Sequence, residues 1–457
     1  MRVSERAILG FYNALSLLFC GPLLLKKAIK FGRRGHAHEW DIARWNAPLR
    51  WEKNKPRIVF VALSWGEVGI LNALSQRLEI RFPHCEIIWS IRDKAARELA
   101  ETRFPSQKMV AMPFDFTLPA QNWVQSIAPD VLIVVEKFWW PNLIYESKAR
   151  GAKIILINGR SRGREKLRYR LLSGFQRWVL SAFDLLLFES EAQIERVRAV
   201  LPRGAQVVAT GNIKFALDAP ATKNEGAACD SAKNEASPAI ETKTELQNWL
   251  ESRARGEGDL LPLLIAGSTS PLDEKWALEA FESVRREIPC ALLIAPRRPS
   301  RAGEVAAQIQ ARGWKVSRRT APLAGTEILL LDTLGELSTA YRFGVAAYVG
   351  GATEGRGHNI IEPLSHGIAV SYGPNRGDFE GAQRAAESFD VGFRLHSSEE
   401  LAQFWKKSLT HDRFGTDVSA RAKLLIDSQR GALDATVDAL VAALETTLGA
   451  QFCEGAR

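Results

Sequence analysis

"RIVFVALSWGEVGILNALSQRLEIRF", residues 57–82, decides the fold. Its first seven residues are apolar apart from Arg57, with no polar alternation, as in a strand covered on both faces. A Ser-Trp-Gly-Glu turn follows, and then "GILNALSQRLEIRF" (69–82) carries apolar residues at helical spacing. Strand, tight turn and helix in immediate succession are the start of a wound parallel sheet. The same alternation continues through "CEIIWSI" (85–91), "KMVAMP" (108–113), "DVLIVVE" (130–136), "KIILIN" (153–158), "DLLLFES" (184–190) and "QVVATG" (206–211). It resumes with "LPLLIAGS" (261–268), "CALLIAP" (290–296), "EILLL" (327–331), "VAAYVGG" (345–351), "IAVSYGP" (368–374) and "GFRL" (392–395). The sequence therefore predicts an α/β fold of two Rossmann-like doubly wound domains, with strand carboxyl ends facing a cleft where ligands bind.

The organisation expected along the chain has five parts. Residues 1–34 form an anchor and its basic flank, 35–215 the first domain and 216–258 a linker. Residues 259–415 form the second domain and 416–457 terminal helices. The 457 residues are too many for one core and suit two domains. "ALDAPATKNEGAACDSAKNEASPAIETKTE" (216–245) has almost nothing to bury and reads as low-complexity linker or insertion. Five scattered cysteines, none spaced C-x-x-C, suggest neither a disulfide framework nor a zinc site. A net charge of +9 suits anionic partners; over this length it is weak support for a nucleic-acid binder, and no nucleic-acid module is visible.

"AILGFYNALSLLFCGPLLL" (7–25) is nineteen residues without a charge, followed by "KKAIKFGRR" (26–34) with five basic residues. At ~1.5 Å per residue the apolar run just spans a bilayer core, and the basic flank predicts a cytoplasmic body touching anionic lipid. A cleaved signal peptide fits less well, since lysines follow where a small-residue cleavage site is required. An in-plane amphipathic anchor and a buried core helix are the other readings.

Chemistry-bearing residues recur at strand ends. Glu67 stands at the first strand-to-helix turn, where a carboxylate suits a general base for a hydroxyl. Glu136 ends "DVLIVVE", and Lys214 follows "QVVATG" in "ATGNIKF". In the second half, Pro296 and Arg297 end a buried strand, Leu334, Gly335 and Glu336 follow another, and Asn359, Ile360, Ile361 and Glu362 follow "VGGATEGRGH". Gly-broken turns, a guanidinium and helix starts are a phosphate- or nucleotide-binding set. Together these suit group transfer from a nucleotide-linked donor; ordinary caps and solvated loop charges are the bland alternative.

In order, S-x-G-E (64–67), E-x-x-x-W-P-N (136–142), G-N-x-K-F (211–215), P-R-x-P (296–299), D-T-x-G-E-L (332–337), a Gly-Gly to His-Asn stretch (350–359) and Gly-Pro (373–374) resemble one family: the bacterial 3-deoxy-D-manno-octulosonic acid (Kdo) transferases of lipopolysaccharide assembly. The resemblance runs from the anchor to about residue 430, apart from 216–258. It implies a GT-B glycosyltransferase at the cell inner membrane, cytoplasmic side, moving Kdo from CMP-Kdo to a lipid A precursor with inversion and without a metal. In two-domain glycosyltransferases of the GT-B architecture a terminal helix usually crosses back onto the first domain, and the same is expected of the tail here. The resemblance makes Glu67 the base and Glu136 and Lys214 transition-state stabilisers. It makes Pro296, Arg297, Leu334, Gly335, Glu336, Asn359, Ile360, Ile361 and Glu362 the CMP contacts. Departures from the family pattern stand at Trp65, at "SIRDKAAR" (90–97), at Phe138 where a second carboxylate is usual, and in P-R-R-P-S-R (296–301). Most lie in the first domain, so they bear on the acceptor more than the donor. The rivals are a GT-B transferase with another sugar or acceptor, a sugar-nucleotide epimerase of the same fold, and an inactive sugar binder.

Overall fold

The computed structural model describes residues 5–18, 43–45, 53–161, 172–217, 238–256, 258–355 and 357–454. Residues 19–34 of the expected anchor, 218–237 of the expected linker, Arg356 and the side chain of Trp65 lie outside the described residues. The chain divides into two compact units, residues 1–217 with 431–457, and residues 218–430.

The first unit is built on seven parallel strands: β1 (Arg57–Ala62), β2 (Glu86–Ile91), β3 (Lys108–Ala111), β4 (Val131–Val135), β5 (Lys153–Gly159), β6 (Leu185–Phe188) and β7 (Val207–Ala209). Their order is β3-β2-β1-β4-β5-β6-β7, so the winding reverses between β1 and β4. The register runs Ile58↔Val131 to Val61↔Val134 there. Strand side chains alternate between two cores. Val59 and Val61 join Leu132, Trp123, Phe138 and Leu156 on one face, and Ile58, Phe60 and Ala62 join Leu71, Leu74 and Ile133 on the other. Each such aliphatic or aromatic side chain contributes roughly 2 kcal/mol by leaving water.

Helix α1 (residues 5–18) reaches the first face through Leu9, which is buried there. Tyr12 Oη donates to Asp115 (3.1 Å), and Asn13 and Asn142 exchange amide hydrogen bonds (3.2 and 3.0 Å). No helix among the described residues is long and apolar enough to cross a membrane. Helix α2 (Trp65–Arg81) covers the other face, burying Val68, Leu71, Leu74, Ser75 and Leu78 on one stripe. The last helix, Gly431–Glu454, shares that face through Leu440, Leu444 and Leu448. Arg77 pairs with its Asp434 (2.8 Å), and Thr436 Oγ1 donates to Thr210 Oγ1 (3.0 Å).

The second unit repeats the plan with β8 (Leu263–Thr269), β9 (Ala291–Pro296), β10 (Val316–Arg318), β11 (Ile328–Leu330), β12 (Gly344–Val349), β13 (Ala369–Tyr372) and β14 (Gly392–Arg394), ordered β10-β11-β9-β8-β12-β13-β14. Again every pairing is parallel, and the switch falls between β8 and β12. Two elements differ from expectation. Part of the segment expected to be linker is a helix, Pro238–Glu251, because Leu246, Trp249 and Leu250 at its end are buried and Trp249 Nε1 donates to Ser317 Oγ (3.0 Å). The edge strand β10 has no apolar run to announce it, since its sequence is Val-Ser-Arg.

Candidate functional site

In the first unit, the strand ends nearest the switch point converge on one buried group of charges. Glu67 is the third residue of α2 and only 2% exposed. Its Oε2 accepts the Leu63 N–H at 2.6 Å and its Oε1 the Ser64 hydroxyl at 3.4 Å, so the carboxylate closes the turn it stands in. Glu136 follows β4 and is fully buried. It has φ +61, a left-handed conformation that a non-glycine residue adopts only under constraint. Lys214 Nζ lies 2.6 Å from Glu136 Oε1, and the Arg160 guanidinium binds Oε2. Beyond β6, buried Glu189 accepts from Gln193 (2.8 Å) and Asn212 (3.2 Å).

The environment separates the carboxyls. Burial, and then the neighbouring charge of Glu136, push Glu67 from 4.5 up to about 7, although Lys214, the Leu63 N–H and Arg160 pull the other way. For Glu136 burial also disfavours charge, but Arg160 and Lys214 outweigh it and hold the carboxyl down at about 2. Burial raises Glu189 as well. One carboxylate is thus fixed as an anion, and another is balanced to take and release a proton near neutrality. Phe138, where a second carboxylate was expected from the family pattern, is buried in the core and stacks on Trp139 at 5.4 Å.

In the second unit the strand-end loops are organised by a residue that sequence reasoning missed. Asp273 lies in the first turn of the helix Pro271–Arg285 and is fully buried. Its Oδ2 accepts from Ser270 N (2.9 Å), Ser270 Oγ (2.6 Å) and Gly351 N (2.7 Å), and its Oδ1 from Tyr348 Oη and Thr353 Oγ1 (both 2.7 Å). It therefore straps the loop after β12 to the end of β8. The glycine pair follows from this closeness. A Cβ on Gly350 would sit 2.7 Å from Asp273 Oδ2, and one on Gly351, at φ +83, would sit 2.7 Å from the His358 ring. Burial and the nearby charge of Arg297 push His358 down to about 4, so its ring is neutral at pH 7.

Pro296 ends β9. Arg297 follows, exposed, with its backbone N–H on Thr269 O (3.0 Å). Asn359 Oδ1 accepts the Ile361 N–H (3.0 Å) and its Nδ2 donates to Glu362 (3.0 Å), while Ile360 and Ile361 are buried. The helix that begins there, Ile361–Ser365, is only five residues long. Glu336 accepts from Arg319 (3.2 and 3.1 Å) and Thr333, Gly335 has φ +88, and Leu334 is 75% exposed. The short helix Leu337–Ala340 that follows the 334–336 turn meets the 359–366 stretch where the His366 ring nitrogen lies 3.0 Å from Ser338 O. Tyr341 lies between them, against Gly267 and beside Glu362. Arg160, Asn158, Glu189, Asp273 and Tyr341 are the residues the motifs did not single out. Among the described residues no cluster of His, Cys, Asp and Glu is arranged to hold a metal ion.

Residues 36–217 match the sequence model of the 3-deoxy-D-manno-octulosonic-acid transferases (kdotransferases). The transferase of that name from Haemophilus influenzae is 24% identical over 451 residues, 95% of this chain and 98% of that one. The Bordetella pertussis transferase is 27% identical over 340 residues, 72% of this chain and 73% of that one. Among solved structures, Staphylococcus aureus MnaA with UDP shares the fold at 12% identity, TM-score 0.55, over 85% of this chain and 97% of that one. Anabaena Alr3699/HepE in complex with UDP does so at 14% identity, TM-score 0.54, over 86% and 100%. The chain has the GT-B-like fold of two seven-stranded parallel sheets. Along nearly its whole length it is a homologue of the 3-deoxy-D-manno-octulosonic acid transferases, which are glycosyltransferases, and residues 36–217 are a domain of that family.

Proposed function

We propose that the protein transfers Kdo from CMP-Kdo to a lipid A precursor, with Glu67 as general base. The observation that carries the mechanism is the pair of buried carboxylates, Glu67 at the first strand-to-helix turn and Glu136 bound by Lys214 and Arg160, with burial pushing the first up to about 7 and the cations holding the second at about 2. An acceptor hydroxyl is a poor nucleophile, and a base with a pKa near the working pH is the efficient remedy. Glu67 takes the hydroxyl proton as the oxygen bonds to the anomeric carbon of Kdo. The bond from that carbon to the phosphate oxygen breaks, and CMP departs with the electron pair. Attack opposite the leaving group inverts the anomeric centre. Glu136 stays ionised throughout, and with Lys214 it stabilises the charge that builds up in the transition state.

The second unit supplies the CMP contacts in this reading: Pro296, Arg297, Leu334, Gly335, Glu336, Asn359, Ile360, Ile361 and Glu362. Support comes from their position on loops at the carboxyl edge of a parallel sheet, the usual place for nucleotides, and from the exposed Arg297, whose guanidinium suits phosphate. Asp273 holds the loop after β12 in place for them. Membrane attachment at the cytoplasmic face of the inner membrane belongs to the same proposal. Support comes from helix α1, which turns Leu9, Tyr12 and Asn13 inward and leaves Phe11 (68% exposed), Leu15 and Leu18 outward on one stripe, as an in-plane anchor needs.

The test is mass spectrometry of a tetraacylated lipid A precursor incubated with the full-length protein and CMP-Kdo generated in situ. Mass gain in whole Kdo units, lost in Glu67→Ala, supports the activity and the base. No gain, with CMP released onto other lipids or glycans, replaces the acceptor. Absence of turnover and of CMP binding removes the transferase reading.

A further inference from the structure

Arg160 follows β5 and is the next cation along the sheet edge from Glu136. Its guanidinium binds Glu136 Oε2, and its backbone N–H donates to the Glu136 carbonyl at 3.3 Å. Around it stand three carboxylates on three different elements: Glu136 after β4, Glu189 after β6 and Glu67 in α2. All three favour its charged form over the cost of burial. Two residues earlier, buried Asn158 (φ +48) directs Nδ2 to Glu136 Oε1 at 3.5 Å and accepts the Ile213 N–H on Oδ1 at 3.1 Å. Ile213 precedes Lys214, whose own N–H is held by Asn212, which in turn binds Glu189 (3.1 and 3.2 Å). The turn that carries Asn158 and Arg160 thus touches the supports of both Glu136 and Lys214.

Among the described residues, three buried carboxyls share this site with two cations, Lys214 and Arg160. Buried carboxylates that interact ionise together only with cations beside them. A lysine would supply a point charge, whereas a guanidinium offers a planar fork that fixes a carboxylate in orientation as well as in charge. The two left-handed non-glycine residues at the ends of adjacent strands, Glu136 and Asn158, show that the surrounding bonds over-determine this arrangement.

We propose that Arg160 is a positioning residue for group transfer: it orients the Glu136 carboxylate toward Lys214 and sets its own positive charge beside Glu67. The proposal rests on Glu67 being the base. It is tested in the full-length protein by kcat, KM and the pH profile of kcat/KM for wild type, Arg160→Gln, Arg160→Lys and Glu67→Gln. Arg160→Gln is expected to lower kcat ~10²-fold, with KM for donor and acceptor changed less than about twofold, the pattern of an interaction realised in the transition state. It also removes a positive charge from beside Glu67 while Lys214 keeps Glu136 ionised. The acid limb of the profile therefore moves to higher pH. Arg160→Lys is expected to return the limb to its wild-type position and recover kcat only in part. Unchanged kcat and limb in Arg160→Gln overturn the proposal, as does a limb in Arg160→Lys that stays displaced. Should Arg160→Gln fail to fold, Arg160→Lys decides alone: reduced kcat with an unmoved limb supports the fork, and full wild-type kcat overturns it. Glu67→Gln with wild-type turnover would sink the base reading instead, whatever the Arg160 variants do.

Discussion

Among the described residues at the carboxyl edge of the first sheet, the buried carboxyls Glu67, Glu136 and Glu189 stand with Lys214 and Arg160; at the same edge of the second sheet, buried Asp273 is occupied with backbone and hydroxyl donors. The two units share a winding and differ in what the strand ends hold. In the first, charge is kept out of water, and burial leaves Glu67 to exchange a proton near neutral pH. In the second, the Asp273 carboxylate meets five donors and its work is to shape a loop. Strained or unsatisfied charge suits chemistry, and satisfied charge suits binding.

The largest effect that separates the units is expected at Glu67. Glu67→Gln is expected to lower kcat by ~10³-fold or more, a barrier increase of roughly 4 kcal/mol, with little change in donor KM. Stability should move the other way. Because the folded pKa of Glu67 lies above its ordinary value, wild type loses stability as pH rises from 4.5 through about 7. Glu67→Gln removes that loss, and its advantage in thermal unfolding should be absent at pH 4, grow through that window and reach at most about 3 kcal/mol at pH 8. Glu136 behaves in the opposite sense: its stabilising charge is present above 4.5 and disappears as pH falls toward about 2.

Asp273→Ala should show the second pattern, with binding and stability lost together. Five donors lose their shared acceptor, and a cost of about 3 kcal/mol in urea unfolding, with weaker CMP binding by calorimetry, is expected. Gly351→Ala is a smaller break of the same loop. It needs a left-handed backbone and pushes on the His358 ring, costing about 2 kcal/mol. Tyr12→Phe removes one hydrogen bond to Asp115, and about 1 kcal/mol of stability, read by hydrogen exchange in α1, is the expected loss. An effect on kcat as large as that of Glu67→Gln in Asp273→Ala or Gly351→Ala would break the contrast between the units.

Much of the fold was legible because both sheets bury their strands on two faces. Runs such as those of β4 and β9 are apolar throughout, and β1 and β8 are apolar but for Arg57 and the terminal Gly-Ser-Thr. The edge strand β10 has polar neighbours and no such run. The helix Pro238–Glu251 hides in an Ala-, Lys-, Glu- and Thr-rich stretch, since only Leu246, Trp249 and Leu250 signal its burial. Glu67, Glu136 and Lys214 were legible as strand-end charges. Arg160 and Glu189 occupy equivalent positions after β5 and β6, but spacing alone gives no reason to choose them. Only the pairing of neighbouring strands puts Arg160 on Glu136. Asp273 reads in sequence as an ordinary acidic residue in a helix's first turn, and its bonds to Tyr348, Gly351 and Thr353, some eighty residues away, exist only in the folded unit.

The measurement that tests the central claim most directly is the pH dependence of kcat/KM for Kdo transfer between pH 5 and 9. A rise that levels off above a bend near 7, with turnover abolished in Glu67→Gln at every pH, is the predicted result. A flat profile across that range, or a Glu67→Gln variant that turns over at the wild-type rate, would contradict it.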